Sequence, residues 1–507
     1  MPVWLVVSAG GWLACRVRKF SDWCRSHPWI ASVAGFAGFC LLLHFFLNWQ
    51  AERRWEKYCE GARARGVKLT LPEFAPPEIP EEENFAALPL LRFAGGTAGA
   101  FALPPSNRPL WGGDPMNRQS TNWTAWQTYF QANGFIAAPS ADPVRDSLQG
   151  LDHFAPQIQE WQQWKTRPRS RFPAPVRVGD DIVVATHLAT PQQAAQVFSL
   201  KARAHLALGE SAQAYRAFRD GLQAYLAVRD EPSLIAGLVR TSSLSLVMAA
   251  VGDGLMHQAW AEPELRQLEE DLASISLAKD FHDAMSSERG YVNTANNDLI
   301  DSAIVQRSQM TSRNLAASAT FATAAFGASP PALSPAICML IPRRMYRDNQ
   351  LRQNQQIDEL LAQMSPVRMH FDPDRDIPSA PGRGNALEEL YYFLSHPSFS
   401  VFEWIEKRYL RQEIGLDHTR LAIALERFRL REGNFPAALS ALVPDFSSVL
   451  PRDPYSGKEY RYESSRPKSY LLYSAGENRR DDGGTADVRR AEQNQLDIIW
   501  FYTPSPR

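Results

Sequence analysis

The sequence predicts a mainly α-helical protein with an N-terminal transmembrane helix, an irregular helical body and a small C-terminal α+β unit built on an antiparallel sheet. Three observations predict it. Residues 29–49 contain no Asp, Glu, Lys or Arg. Apolar residues recur at helical spacing from Pro191 to Ala278, and the last eighth of the chain carries short segments that alternate as strands do.

Composition sets the frame. A chain of 507 residues exceeds the size at which a single core keeps growing, so several packed units are expected. With 45% hydrophobic and 21% charged residues it is expected to fold, which excludes wholly disordered and collagen-like classes. Its 54 basic and 55 acidic side chains give a net charge of -1, too balanced to attract a phosphate backbone, so nucleic acid is not an expected partner. Cys15, Cys24, Cys40, Cys59 and Cys338 form no CxxC pair, so neither a disulfide framework nor a zinc site is written in the chain.

The expected organisation is an N-terminal tail at 1–28, a transmembrane helix at 29–49, a helical stalk and Pro/Glu-rich linker at 50–92, a helical body at 93–414 and an α+β unit at 415–507. The segment WIASVAGFAGFCLLLHFFLNW (29–49) would be roughly 30 Å long as a helix, the thickness of a bilayer core. Trp29 and Trp49 sit where an aromatic belt belongs, and Arg16, Arg18, Lys19, Arg25, Arg53, Arg54 and Lys57 flank them. A run this long with no small-residue cleavage site after it reads as a retained signal anchor, and the membrane is therefore an expected partner. His44 is close enough to one end to reach the interface.

Helix continues through AERRWEKYCEGARARG, with Gly66 as the stop. LPEFAPPEIPEEENFAALPLL, rich in Pro and Glu, then reads as an extended linker, and residues 93–122 as irregular loops. Helical patterning returns near Thr121 and again at Asp142-Pro143, an N-cap followed by N1. Gly209 separates two helices of an αα-hairpin, and Pro232 and Glu262-Pro263 open two more. Residues 314–342 carry no charged side chain, but Pro330, Pro331 and Pro335 interrupt them, which favours a buried or interfacial segment over a second span. A polar helix from Tyr346 to Met364 and another near Ala386 follow.

Several resemblances rest on these residues. Phe198, Ala202, Gly209, Ala214, Phe218 and Leu222 occupy the spacing of one unit that resembles a tetratricopeptide repeat, although the repeat does not recur cleanly. Asn84-Phe85-Ala86-Ala87 with Pro89-Leu90-Leu91, Arg167-Pro168 with Ser170-Arg171-Phe172-Pro173, and Asp230-Glu231-Pro232-Ser233-Leu234-Ile235 with Val239-Arg240 resemble an uncharacterised family of bacterial single-pass membrane proteins, which implies architecture and no activity. LDHTRLAIALERFRLREGNFPAALSALVPDF followed by LPRDPYSGKEYRYE is similar to the globular head of type II secretion pseudopilins. There Leu421, Leu425 and Phe428 stripe a helix, Gly433 ends it, Pro436 starts a short second helix, Asp453 to Gly457 make a turn, and EYRYE, SYLLYS and QLDIIWFY form strands. The chain departs from that family where several hundred residues separate anchor from head and no prepilin cleavage site is present.

Chemistry is sparsely signalled. HExxH, GxSxG, GxxxxGK[ST] and kinase motifs are absent, and Asp372, Asp374 and Asp376 lack the glycine and glutamate of an EF-hand, so no catalytic residue and no cofactor-binding residue is assigned. In SAGENRRDDGGTAD the hard oxygens of Asn478, Asp481, Asp482 and Asp487, with Ser474 at the entry, would suit Ca²⁺, as the resemblance to calcium-binding pseudopilins implies; the alternative is a solvated turn, with Arg479 or Arg480 as internal partner. The sequence leaves two functional classes: a non-enzymatic interaction or scaffold protein of the cell envelope, anchored in the cytoplasmic (inner) membrane with its body outside and other envelope proteins as partners; and a membrane-anchored, hydrolase-like enzyme whose site is assembled from distant residues.

Overall fold

The computed structural model describes residues 25–91, 101, 103, 121–172, 177–178, 181–182, 188–314, 334–364, 369, 391–392, 396–466, 469–484 and 497–502. Its helices are α1 (Pro28–Ala64), α2 (Trp123–Ala132), α3 (Pro143–Leu151), α4 (Ala155–Trp164), α5 (Ala189–Ala207), α6 (Ser211–Ala227), α7 (Leu234–Met256), α8 (Glu262–Ala273), α9 (Leu277–Asp301), α10 (Pro335–Cys338), α11 (Arg343–Gln363) and α12 (His396–Glu432). Residues 304–314 are also helical. Strands β1 (Arg177–Val178) and β2 (Asp181–Ile182) pair with each other, and β3 (Arg461–Arg466), β4 (Ser469–Ser474) and β5 (Ile498–Tyr502) form an antiparallel sheet in that order. The chain divides into two compact units, one of residues 1–67, 296–352 and 389–395, the other of 68–295, 353–388 and 396–507.

In the first unit α1 is a single helix of 37 residues. None of its most apolar window is buried, so it is long and apolar enough to cross a membrane. It ends as the sequence predicts: Gly66, at φ +75, follows the last turn. The Gly66 amide bonds the Arg63 carbonyl at 2.9 Å and the Val67 amide the Ala62 carbonyl at 3.0 Å, a Schellman closure that satisfies two terminal carbonyls. A small core of Ile300, Cys338, Ile341 and Tyr346 holds the remaining pieces of this unit. The expected helix near Ala386 and the middle of the uncharged segment, residues 315–333, lie outside the described residues, as do nearly all of 93–120.

The second unit has one continuous apolar core running from Phe85 to Trp500. The α5–α6 hairpin is at its centre, with Phe198, Ala202, Ala214 and Phe218 buried and Gly209 between the helices. Ala202, Ala217 and Ala250 meet where α5, α6 and α7 approach one another, because only small side chains permit so close a crossing. Most of the apolar window of α7 is buried, which marks it as a core helix rather than a second span. Gly237 lets α7 approach α12: a Cβ there would lie 2.6 Å from the Tyr409 hydroxyl.

The structure differs from the sequence reading at four places. The Pro/Glu-rich stretch is not extended: it folds into 3₁₀ turns at Leu71–Phe74, Glu81–Glu83, Phe85–Ala87 and Pro89–Leu91. In the third and fourth of these turns Phe85, Ala86 and Leu91 are buried, Phe85 edge-on to Trp161 at 5.0 Å, so there apolar burial overrides the extended preference of proline. α7 begins at Leu234 rather than Pro232, because the Ser233 side chain accepts the Ala236 amide and acts as N-cap. In place of a second helix at Pro436 there is a 3₁₀ turn, Leu439–Leu442. Residue 415 falls inside α12, which is continuous from His396 to Glu432.

Candidate functional site

The predicted loop follows β4. Asn478 donates to the Asp482 carboxylate at 2.7 Å and accepts the Arg480 amide at 3.0 Å. Asp481 accepts from the Tyr473 hydroxyl at 2.9 Å and the Gly483 amide at 3.1 Å, and Arg461 on β3 lies 3.3 Å away. The Tyr473 and Gly483 hydrogen bonds hold the Asp481 carboxyl below the usual carboxylate range, with Arg461 adding to them. The Asp482 and Gly484 amides both donate to Asp497, at 3.1 and 2.9 Å. Thus Asn478, Asp481 and Asp482 are brought together, and the internal cation beside Asp481 is Arg461. Asp487 lies outside the described residues. Ser474 is buried, donating to Asp453 at 2.8 Å and accepting the Gly476 amide at 3.2 Å. Asp453 also accepts the Tyr455 and Ala475 amides at 3.0 and 3.2 Å, so this carboxylate ties the Asp-Pro turn to the end of β4. Among the described residues no group of three or more His, Cys, Asp or Glu is placed to hold a metal ion.

A second polar cluster is buried between α6, α7, α9 and α12. Arg240 pairs with Asp280, to which the Tyr225 hydroxyl also donates. Burial pushes the Asp280 carboxyl up, against the pull of Arg240. Phe281 packs edge-on to Tyr409 at 5.2 Å. Elsewhere in the second unit, burial pushes the carboxyls of Glu231 and Glu288 up to about 7. Carboxyls that titrate near neutrality can serve as general acids or bases when a substrate reaches them.

The third cluster is at the foot of the first unit, where α11 lies along α1. The Arg344 amide donates to Asn48 Oδ1 at 3.0 Å. Arg347 Nε donates to Glu52 Oε2 at 2.9 Å, and its guanidinium lies over the Trp55 ring at 5.7 Å. Asn48, Glu52 and Trp55 share one face of α1 through the spacing of four and three residues, and the buried Ala51 between them lets α11 come close. Asp348 accepts from Arg54 at 2.7 Å and from the Tyr391 hydroxyl at 2.6 Å. Arg347 also reaches Asn297 at 2.6 Å and Gln350 at 2.7 Å. These charge-assisted bonds form a collar around α1 immediately beyond its apolar run.

No family model, curated protein or solved structure matches this chain. The three clusters are therefore weighed on their chemistry alone. The collar was missed by sequence reasoning. Its signal is nevertheless present: RRMYRD places Arg344, Arg347 and Asp348 on one side of a polar helix, and Glu52 and Arg54 stand on the stalk.

Proposed function

We propose that this chain is a membrane-anchored, non-enzymatic interaction protein that holds a helical scaffold at a bilayer surface. The observation that carries the reading is α1: its apolar window is wholly exposed, and the same helix continues into the collar. An exposed apolar surface of this length is stabilised by lipid and penalised by water. The finer reading is a bacterial envelope protein in the cytoplasmic membrane with its body outside, whose tetratricopeptide-like α5–α6 hairpin and pseudopilin-like C-terminal segment contact other envelope proteins. Support for the pseudopilin likeness comes from the order of elements: long helix, Asp-Pro turn and three antiparallel strands follow one another in the expected order.

Deleting residues 1–50 tests the anchor. The full chain should pellet with membranes and resist alkaline carbonate extraction, whereas the truncated chain should move to the soluble fraction. A truncated chain that still requires detergent for release would overturn the assignment of α1 as the anchor.

A further inference from the structure

In the first unit beyond α1, the most exposed large apolar side chains among the described residues are Ile304 at 53%, Val305 at 50%, Ile337 at 51% and Leu340 at 82%. They are the outward halves of two amphipathic pieces. Around α10, Cys338 and Ile341 turn into the small core while Ile337 and Leu340 face out. On the helix of residues 304–314, Arg307, Ser308 and Thr311 are buried while Ile304 and Val305 face out. Arg343 pairs with Asp301 at 3.6 Å, three residues in sequence from Leu340 and from Ile304 respectively.

The hydrogen bond from the Arg344 amide to Asn48, the residue before Trp49, ties this part of the unit to the end of the apolar run. Leu340 is four residues from Arg344, so its Cα lies at most ~15 Å from that point along the chain. The headgroup layer of one leaflet is ~5–8 Å deep, so Leu340 is tethered within about two such layers of the end of the run. Arg343, next to Arg344 in the chain, is exposed, and a long basic side chain so placed can reach lipid phosphates while neighbouring apolar groups insert. We propose that Ile304, Val305, Ile337 and Leu340 form an interfacial foot, which inserts into the boundary between acyl chains and headgroups of the bilayer that α1 crosses. This inference rests on α1 being the anchor. The occupant of the apolar face is lipid, because the face is tied to the exit point of the span by the hydrogen bond from the Arg344 amide to the Asn48 side chain, with the exposed Arg343 beside it.

The test uses the full chain reconstituted into vesicles of phosphatidylcholine and phosphatidylglycerol containing a phosphatidylcholine with a diazirine in its acyl chain. After irradiation, adducts are mapped by mass spectrometry, and water access is mapped in parallel by hydroxyl-radical footprinting. The expected result is lipid adducts along 29–49 and, several-fold above the dark control, at Ile304, Ile337 and Leu340. Ile304→Asp and Leu340→Asp should each abolish adducts at the substituted side and leave those in 29–49 unchanged. Adducts confined to 29–49, with Leu340 open to radicals, would overturn the foot and spare the anchor. Leu340 shielded from radicals without a lipid adduct would mean that protein covers the face, and would also overturn the proposal. Absence of adducts at 29–49 would defeat the anchor reading and the foot together.

Discussion

Glu231 shows at the residue scale how burial converts to a measurable pH dependence. Its folded carboxyl holds a proton up to about 7, against an ordinary value of 4.5, because the surrounding protein disfavours its charge. Between those values the folded state binds more protons than the unfolded chain. Stability from this residue is therefore full below about 4.5, declines as pH rises towards 7, and is flat above. Glu231→Gln should remove that slope: at pH 8 the variant should be more stable than the parent by ~1–3 kcal/mol, and near pH 4 the two should agree. Denaturant midpoints of both chains at the two pH values provide the comparison; an equal gap at both would show that the carboxyl is not raised.

At the scale of elements, the loop after β4 illustrates a motif that was legible in residue type and only partly in geometry. The acidic residues do converge, yet their oxygens already accept from Tyr473, from the Gly483, Asp482 and Gly484 amides, and from Arg461. The amides of Gly483 and Gly484 should accordingly be protected from hydrogen exchange without any added ion. Asp481→Ala should speed exchange at Gly483, and millimolar Ca²⁺ should leave the parent pattern unchanged. Calcium-dependent protection that Asp481→Ala abolishes would instead establish an ion site. Protection contributed by Asp481 should also fade in acid, since a lowered carboxyl contributes stability above its unfolded value and loses it as pH falls through the folded one.

The strands SYLLYS and IIWFY, the Gly66 stop, the Asp142 N-cap and the α5–α6 hairpin could all be read from the sequence because each depends on local chemistry or on a period of two or 3.6. The packed 3₁₀ turns between Leu71 and Leu91 could not. They meet partners far along the chain, Phe85 against Trp161 and the Leu71 amide on Thr294, which no local pattern encodes. The collar was hidden for the same reason: Asn48 and Arg344 are 296 positions apart. Arg461 beside Asp481 was likewise overlooked because the pairing passes through a strand register rather than through sequence neighbours.

For the whole molecule the open question with the greatest leverage is which side of the membrane the body occupies. Basic residues flank the span on both sides, so counting them does not decide, and the proposed outside location rests on the resemblance of the C-terminal segment to extracytoplasmic heads. An alkaline phosphatase fused to the C-terminus in a bacterial host should then be active, while a cytoplasmic reporter at the same position should be silent. The reverse pair of results would place the body inside. The net charge of -1 gives neither orientation an electrostatic advantage at an anionic surface.

From Phe39 to Glu60 the first helix contains neither glycine nor proline, so the shaft has no built-in hinge where it leaves the apolar run. About 15 residues, or roughly 22 Å of helix, extend from Trp49 to its end. A bilayer that thins or thickens changes the tilt of a spanning helix, and here a change of about 10° would swing the outer end by about 4 Å. The collar clasps this shaft from its base, so Arg344, Arg347 and Asp348 would travel with it. If α1 spans the bilayer as proposed, membrane thickness becomes a mechanical input: a lever set in lipid, with its load gripped just above the fulcrum.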